Sequence, residues 1–64
     1  MAQRNLKIYV NNILYKDIMV DVDSEGNYDP VPIWSMILSD KQAGYFVDYN
    51  LTPGTFPIRI ELRH

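Results

Sequence analysis

The stretch that decides the fold runs from Asp29 to Gly44 and reads DPVPIWSMILSDKQAG. Its apolar residues recur at helical spacing, and arms rich in strand-forming residues lie on both sides of it. Asp29 can accept hydrogen bonds from the free amides of a first helical turn, and Gly44 can adopt the left-handed conformation that often ends a helix. We therefore predict a helix over this stretch.

One broad arc of this helix is apolar, and polar residues lie opposite it. The residues of the arc that we expect in the core are Ile33, Trp34, Ile37 and Leu38. The alternative is that residues 31–38 form a strand, because valine, isoleucine and tryptophan favour strands. The protein would then be all-β.

The N-terminal arm alternates between apolar and polar residues, which is the period of a half-buried strand. Its core-facing residues are Leu6, Ile8 and Val10. Asn11 and Asn12 then interrupt the pattern. Asparagine tolerates positive φ, so the pair favours a tight hairpin turn of the primed type.

A second strand is expected from Ile13 to Asp23, and its length indicates a bend or bulge near Lys16 and Asp17. The core-facing residues after this bend are Ile18, Val20 and Val22. Residues 24–27, SEGN, form the next turn signal. A short third strand could begin at Tyr28.

The C-terminal arm contains two further segments with strand periodicity. Residues 45–49 alternate, which favours a strand with Val47 in the core. The proline and glycine at 53–54 are the preferred centre of a type II turn. The last strand, Phe56 to Leu62, directs Ile58, Ile60 and Leu62 inward. Pro57 cannot donate a ladder hydrogen bond, so we expect this strand at a sheet edge.

These elements predict an α+β fold. We expect a small two-layer domain in which one helix packs on an antiparallel sheet of four to five strands, in the order β-β-α-β-β. We expect residues 1–64 to form a single domain. A chain this short builds only a small core, and with no cysteine it has no disulfide to add stability. A partner subunit is the expected substitute.

The composition is that of a folded globular protein, with 47% apolar and 22% charged residues. No apolar run approaches the roughly 18 residues that a membrane span needs, and the N-terminal residues lack the apolar core of a secretory signal. We expect a soluble, intracellular, cytoplasmic protein with no membrane partner. The net charge of −2 disfavours a nucleic-acid partner, because such binding depends on cations that neutralise phosphates.

The carboxylates between the second strand and the helix are weak metal candidates. Asp21, Asp23 and Glu25, followed by Gly26, have the spacing that begins an EF-hand calcium loop. The twelfth loop position, which should be a bidentate glutamate, is Pro32. We therefore predict no metal and no cofactor.

The chain offers little material for catalysis. His64 is the single histidine and the terminal residue, there is no cysteine, and no serine lies in a nucleophile motif. A frayed terminus cannot hold a general base in place. We predict no catalytic residue and no enzymatic activity.

Tyr9, Tyr15 and Met19 are the predicted interaction residues. They are expected on the sheet face opposite the core, and tyrosine is enriched where a surface meets a partner. The alternative is that the tyrosines cover the rim of a small core.

The leading hypothesis is a non-enzymatic interaction or structural protein that self-associates through a sheet edge or an exposed aromatic face, most simply as a dimer. An unidentified protein partner is a further option. The alternative is a nucleic-acid-associated accessory protein in which Lys7, Arg59 and Arg63 form a basic strip. A third hypothesis is an acidic metal-binding module.

Overall fold

The computed structural model describes residues 2–63. The elements in this range are β1 (Ala2–Val10), β2 (Ile13–Val22), α1 (Val31–Gln42) and β3 (Ile58–Leu62), with a short 3₁₀ helix at Val47–Tyr49. The strands form one antiparallel sheet in the order β2-β1-β3. The fold is α+β, and the all-β alternative is wrong.

The sheet has three strands within the described residues, so the prediction of four to five strands is wrong. Residues 45–49, predicted as a strand, form a turn and the 3₁₀ helix. Gly44 and Asn50 both have positive φ, 79° and 54°, so the chain turns on each side of this segment. Tyr28 lies in an irregular segment and not in a strand.

The helix α1 begins and ends near the predicted residues. Asp29 Oδ1 accepts a hydrogen bond of 3.0 Å from the Val31 amide, which satisfies one of the free donors of the first turn. After the last turn Gly44 has φ of 79°, and its amide donates to the Lys41 carbonyl at 3.1 Å. Gly44 therefore provides the left-handed helix end that its position predicted.

The core lies between the sheet and α1. Leu6, Ile8 and Val10 of β1 are fully buried, and they form one cluster with Ile33 and Ile37 of α1. The other predicted core residues that are buried or partly buried are Ile18, Val20, Val22, Ile58, Ile60 and Leu62.

Three residues predicted in the core lie outside it. Trp34, Leu38 and Val47 are 44%, 52% and 78% exposed. A sheet of three strands is narrow, so it contacts only a narrow face of the helix. Ile33 and Ile37 occupy that face, and Trp34 and Leu38 lie beside it. Val47 is exposed because it belongs to the 3₁₀ helix and not to a sheet strand.

The β1–β2 hairpin confirms the predicted primed turn and places the bulge. Asn11 and Asn12 have φ of 51° and 64°, and Val10 pairs directly with Ile13. Ile8 pairs with Lys16 but Tyr9 pairs with Leu14, so Tyr15 is one extra residue in β2. This bulge lies next to its predicted position.

The bulge corrects the predicted position of Tyr15. An extra residue reverses the alternation of side chains, so Tyr15 turns from the outer face to the core face. It is 7% exposed, and its ring centroid lies 4.8 Å from that of Phe46. Tyr15 is therefore a core residue, and the prediction that it lies on an exposed face is wrong.

The segment before β3 also agrees with its sequence signals. Gly54 has φ of 83°, and the Thr55 amide donates to the Thr52 carbonyl at 3.0 Å, as in a type II turn. The strand that follows Pro57 is an edge of the sheet, as predicted. It begins at Ile58 and not at Phe56.

Candidate functional site

Among residues 2–63, no strand pairs with the outer side of β2, so this edge of the sheet presents unpaired backbone groups. The amide of Arg63 donates to the Asn5 carbonyl at 2.9 Å, so the backbone groups of Asn5 point toward β3. Backbone groups alternate in direction along a strand, so the amide and carbonyl of Leu6 point toward β2. Ile18, the partner of Leu6 in β2, directs its own amide and carbonyl toward β1. The β2 residues after the bulge whose backbone groups point outward are Asp17, Met19 and Asp21.

A groove of about 360 Å³ lies between this free edge and α1. Its apolar lining residues are Ile18, Met19, Val20, Tyr28, Pro32, Ile33 and Met36. Met19 is 57% exposed, so a large apolar side chain stands in solvent beside the outward backbone groups. We name the outward backbone groups and this groove together the β2 edge site. It offers hydrogen-bonding groups and an apolar surface to the same ligand.

The β2 edge site is acidic. Asp17 and Asp21 lie on either side of Met19 on the outer sheet face, and Asp29 and Asp21 line the groove. Asp21 accepts a hydrogen bond of 3.2 Å from the Gln3 side-chain amide, and Asp17 accepts one from the amide of Asn5. Both donors are uncharged, so the hydrogen bonds leave the negative charge of these carboxylates in place. A basic ligand therefore suits the site better than an acidic one.

No protein-family model matches this chain, and no curated protein or solved structure shows significant similarity to it. The geometry of its own residues is therefore the basis for assigning a function.

The structure separates the three predicted interaction residues. Met19 belongs to the β2 edge site. Tyr9 lies on the outer face of β1, half-buried under the Arg59 guanidinium, whose central carbon is 4.4 Å from the ring centroid. Tyr15 is buried on the opposite face. The three residues do not form one surface.

Tyr15 instead contacts α1 and the aromatic residues that follow the helix. Its hydroxyl donates a hydrogen bond to Oδ2 of Asp40 on α1, which links β2 to the helix. Burial, together with this carboxylate, raises the pKa of the Tyr15 hydroxyl well above its ordinary value. The ring also packs against Tyr45 and Phe46, at centroid distances of 5.5 and 4.8 Å. These contacts join β2 to α1 and to the segment that follows the helix.

Two of the three weak metal candidates, Asp21 and Asp23, have structural partners. Asp23 Oδ1 accepts hydrogen bonds of 2.9 Å from the amides of both Glu25 and Asn27, so this carboxylate closes the turn after β2. Asp21 binds Gln3 as described above. Within residues 2–63 no group of three candidate ligand side chains is placed to hold a metal ion. His64 lies outside the described residues.

The predicted basic strip is interleaved with carboxylates. Lys7 is paired in register with Asp17 on one side and with Glu61 on the other. Arg59 Nε lies 3.6 Å from Glu61 Oε2 and its guanidinium stacks on Tyr9. Arg63 follows Glu61 on the same face. The outer sheet face therefore carries mixed charge.

Among the described residues, no helix is long and apolar enough to cross a membrane.

Sequence reasoning missed the groove. Tyr28, Pro32 and Met36 line it, and none of them was predicted as a site residue. One signal was available, because the predicted apolar arc of α1 is wider than one small sheet can cover. The β2 edge site also includes the free edge of β2. Which strand lies at an edge depends on the order of strands in the sheet, and hydrophobic periodicity does not encode that order.

Proposed function

We propose that this chain is a non-enzymatic interaction protein that binds an extended segment of a partner protein by strand addition at β2. The observation that carries the proposal is the position of the outward backbone groups of Asp17, Met19 and Asp21 directly beside an apolar groove. A strand added there would pair with these groups and place alternate side chains in the groove. Affinity in this mode comes from main-chain hydrogen bonds, and specificity comes from the alternate side chains.

Several features favour β2 over β3 as the receiving edge. β2 has ten residues, whereas β3 has five and follows Pro57. Short edge strands and proline are devices that block edge pairing. The groove also adjoins β2, so an added strand there gains apolar contact as well as hydrogen bonds.

The charges of the site define the partner segment. On the outer face, three alternate residues of an added strand would place their side chains opposite Asp17, Met19 and Asp21. The residues that complement these three are basic, apolar and basic. The two side chains between them would enter the apolar groove. The preferred segment is therefore a basic residue, three apolar residues and a second basic residue. This pattern reads the same in both directions, so it holds for parallel and antiparallel addition.

A peptide titration tests the proposal. The probe is a capped, fluorescently labelled seven-residue peptide of sequence SKVIVKS, which we call the lysine peptide. The matched control replaces both lysines by glutamate. Each cross-strand pair contributes about 0.2–1 kcal/mol, and the glutamates would also meet like charge, so we expect at least roughly tenfold weaker binding of the control.

Fluorescence anisotropy at low and high salt measures both affinities. Binding of the lysine peptide that weakens at high salt supports the proposal, because exposed charges are screened. Equal affinity for the two peptides, or no binding at low salt, would contradict it.

A further inference from the structure

The charges of the β2 edge site bear on which chains it can accept. Its outward backbone groups belong to Asp17, Met19 and Asp21, so the two carboxylates are equally distant from Met19 along the strand. The single salt bridge among residues 2–63 joins Arg59 to Glu61, so neither aspartate is neutralised by one. A strand added at this edge therefore meets negative charge on both sides of Met19.

We infer that Asp17 and Asp21 exclude a second copy of this chain from the β2 edge site and so reserve the site for a different, basic partner. Without these charges, two copies could join β2 to β2 antiparallel about a two-fold axis, because this pairing satisfies the free backbone groups of both strands. With the axis at Met19, Asp17 of each copy would lie opposite Asp21 of the other. Like charges directly opposite each other destabilise a strand pair.

Apart from these carboxylates, the edge of β2 matches a second copy of itself. The same axis would place Met19 against Met19 of the second copy on the outer face. On the core face it would place Ile18 against Val20 of the second copy, beside the apolar groove of each chain. β2 has ten residues and no proline, so its sequence after the bulge contains no other device that blocks edge pairing. The two carboxylates are therefore the feature that selects against self-pairing.

A shift of register does not remove the repulsion. An axis at Ile18 would place the two Asp17 side chains diagonally across the strand pair, about 7–8 Å apart, and an axis at Val20 would do the same to the two Asp21 side chains. A partner with basic residues at these positions meets attraction instead, so the same two carboxylates admit one chain and reject the other. The inference rests on the proposed function only for the choice of β2 as the receiving edge.

Sedimentation of a charge-reversed variant tests the inference. In Asp21→Lys the new side chain would lie opposite Asp17 of a second copy, so both repulsive pairs of the dimer become attractive. Asp21 is the better position to change, because its register partner is the uncharged Gln3, whereas Asp17 pairs with Lys7. We expect the dissociation constant of the dimer to be at least roughly tenfold lower in the variant than in the wild type.

The concentration series runs at low salt from about 10 μM to about 1 mM, and over it the wild type should keep the mass of one 7.5 kDa chain while Asp21→Lys approaches twice that mass. The matched control is Asp48→Lys, which makes the same change of net charge in the 3₁₀ helix and should stay monomeric. Replacing both Asp17 and Asp21 by asparagine removes the repulsion without adding attraction, so its association should be intermediate. Circular dichroism on every variant verifies that it is folded.

Cysteine cross-linking locates the contact in the Asp21→Lys dimer. The chain has no cysteine, so one introduced thiol reports a single position. Met19→Cys in this background places both thiols at the two-fold axis and should form a disulfide-linked dimer under mild oxidation. Leu14→Cys lies on the same face of β2, but an axis at Met19 keeps its two copies about 30 Å apart, so it should cross-link poorly.

Several results would overturn the inference. They are a monomeric Asp21→Lys variant, a wild type or an Asp48→Lys control that associates as strongly as Asp21→Lys, an asparagine double variant no stronger than the wild type, and equal cross-linking at residues 14 and 19. The experiment uses no peptide, so its outcome is separate from the peptide titration. If the wild type binds the lysine peptide while Asp21→Lys stays monomeric, only the inference fails. If Asp21→Lys dimerises while the wild type does not bind the peptide, only the proposed function fails.

Discussion

The Tyr15 hydroxyl donates a hydrogen bond to the Asp40 carboxylate, and this contact joins the bulge of β2 to the last turns of α1. Tyr15 reaches Asp40 only because it is the extra residue of the bulge and turns to the core face. Burial is the largest cause of the raised pKa of Tyr15, and the hydrogen bond to Asp40 is the second. This pair therefore links β2 to α1 near the C-terminal end of the helix, whereas the groove lies beside its first turns.

Replacing Tyr15 by phenylalanine should destabilise the protein at neutral pH. The variant loses a hydrogen bond to a charged group and leaves Asp40 without this donor, so we expect a loss of about 1.5–3 kcal/mol. Urea unfolding at pH 7 measures the difference. A loss below about 0.5 kcal/mol would show that the bond contributes little to the fold.

Alkaline pH should destabilise the wild type more than the Tyr15→Phe variant. An unfolded tyrosine titrates near 10, whereas the pKa of folded Tyr15 is higher. Above pH 10 the unfolded state therefore binds fewer protons than the folded state, and stability falls as pH rises. The variant lacks this contribution, so its stability should decline less between roughly pH 9 and 11. Parallel slopes for the two proteins would contradict the assignment.

Truncation should destabilise the protein far more at Ile37 than at Trp34, although both were predicted as core residues. Ile37 is fully buried, so Ile37→Ala should cost about 2–5 kcal/mol and unfold much of the protein. Trp34 is 44% exposed, so Trp34→Ala should cost about 1 kcal/mol or less. Thermal melts at low protein concentration compare the two variants. A larger loss from Trp34→Ala would contradict the position of Trp34.

Asn11 should be sensitive to substitution for two separate reasons. It holds φ of 51°, and its side-chain amide donates to the Tyr49 carbonyl at 2.9 Å. Asn11→Ala loses both advantages and should cost about 2 kcal/mol, whereas Asn11→Gly tolerates the backbone conformation and should cost about 1 kcal/mol. Chemical denaturation of both variants separates the two effects. Equal losses would show that the backbone conformation contributes nothing.

Proline at Met19 should abolish peptide binding while the fold survives. The Met19 amide points away from the sheet, so the substitution removes an outward donor without breaking a ladder bond, and proline is tolerated at such edge positions. The control is Met19→Leu, which retains the amide and an apolar side chain. Circular dichroism and the lysine-peptide titration measure both properties. Undiminished binding by folded Met19→Pro would exclude strand addition at this position.

Local signals in the sequence predicted much of the fold. Asn11 and Asn12 form the turn that their backbone preference predicts, Gly44 ends the helix, and the strand after Pro57 is an edge. Each of these features depends on the conformational preferences of one or two residues. Such preferences are readable without knowledge of the tertiary structure.

The features that the sequence did not predict depend on packing. Residues 45–49 alternate like a strand, but Phe46 packs into the core beside Tyr15, and the segment folds as a turn. One extra residue in β2 reversed the expected side of Tyr15. The exposure of Trp34 and the groove beside β2 both follow from a three-stranded sheet, whose width no single segment specifies.

Amide hydrogen exchange with and without the lysine peptide is the measurement that tests strand addition at β2 most directly. The added strand should slow exchange at the amides of Asp17, Met19 and Asp21, which point outward. The amides of Ile18 and Val20 already face β1, so they should change little, and protection should alternate along β2. Three results would contradict strand addition at this edge. They are protection confined to β3, equal protection of the amides of residues 17–21, and no protection while the peptide is bound.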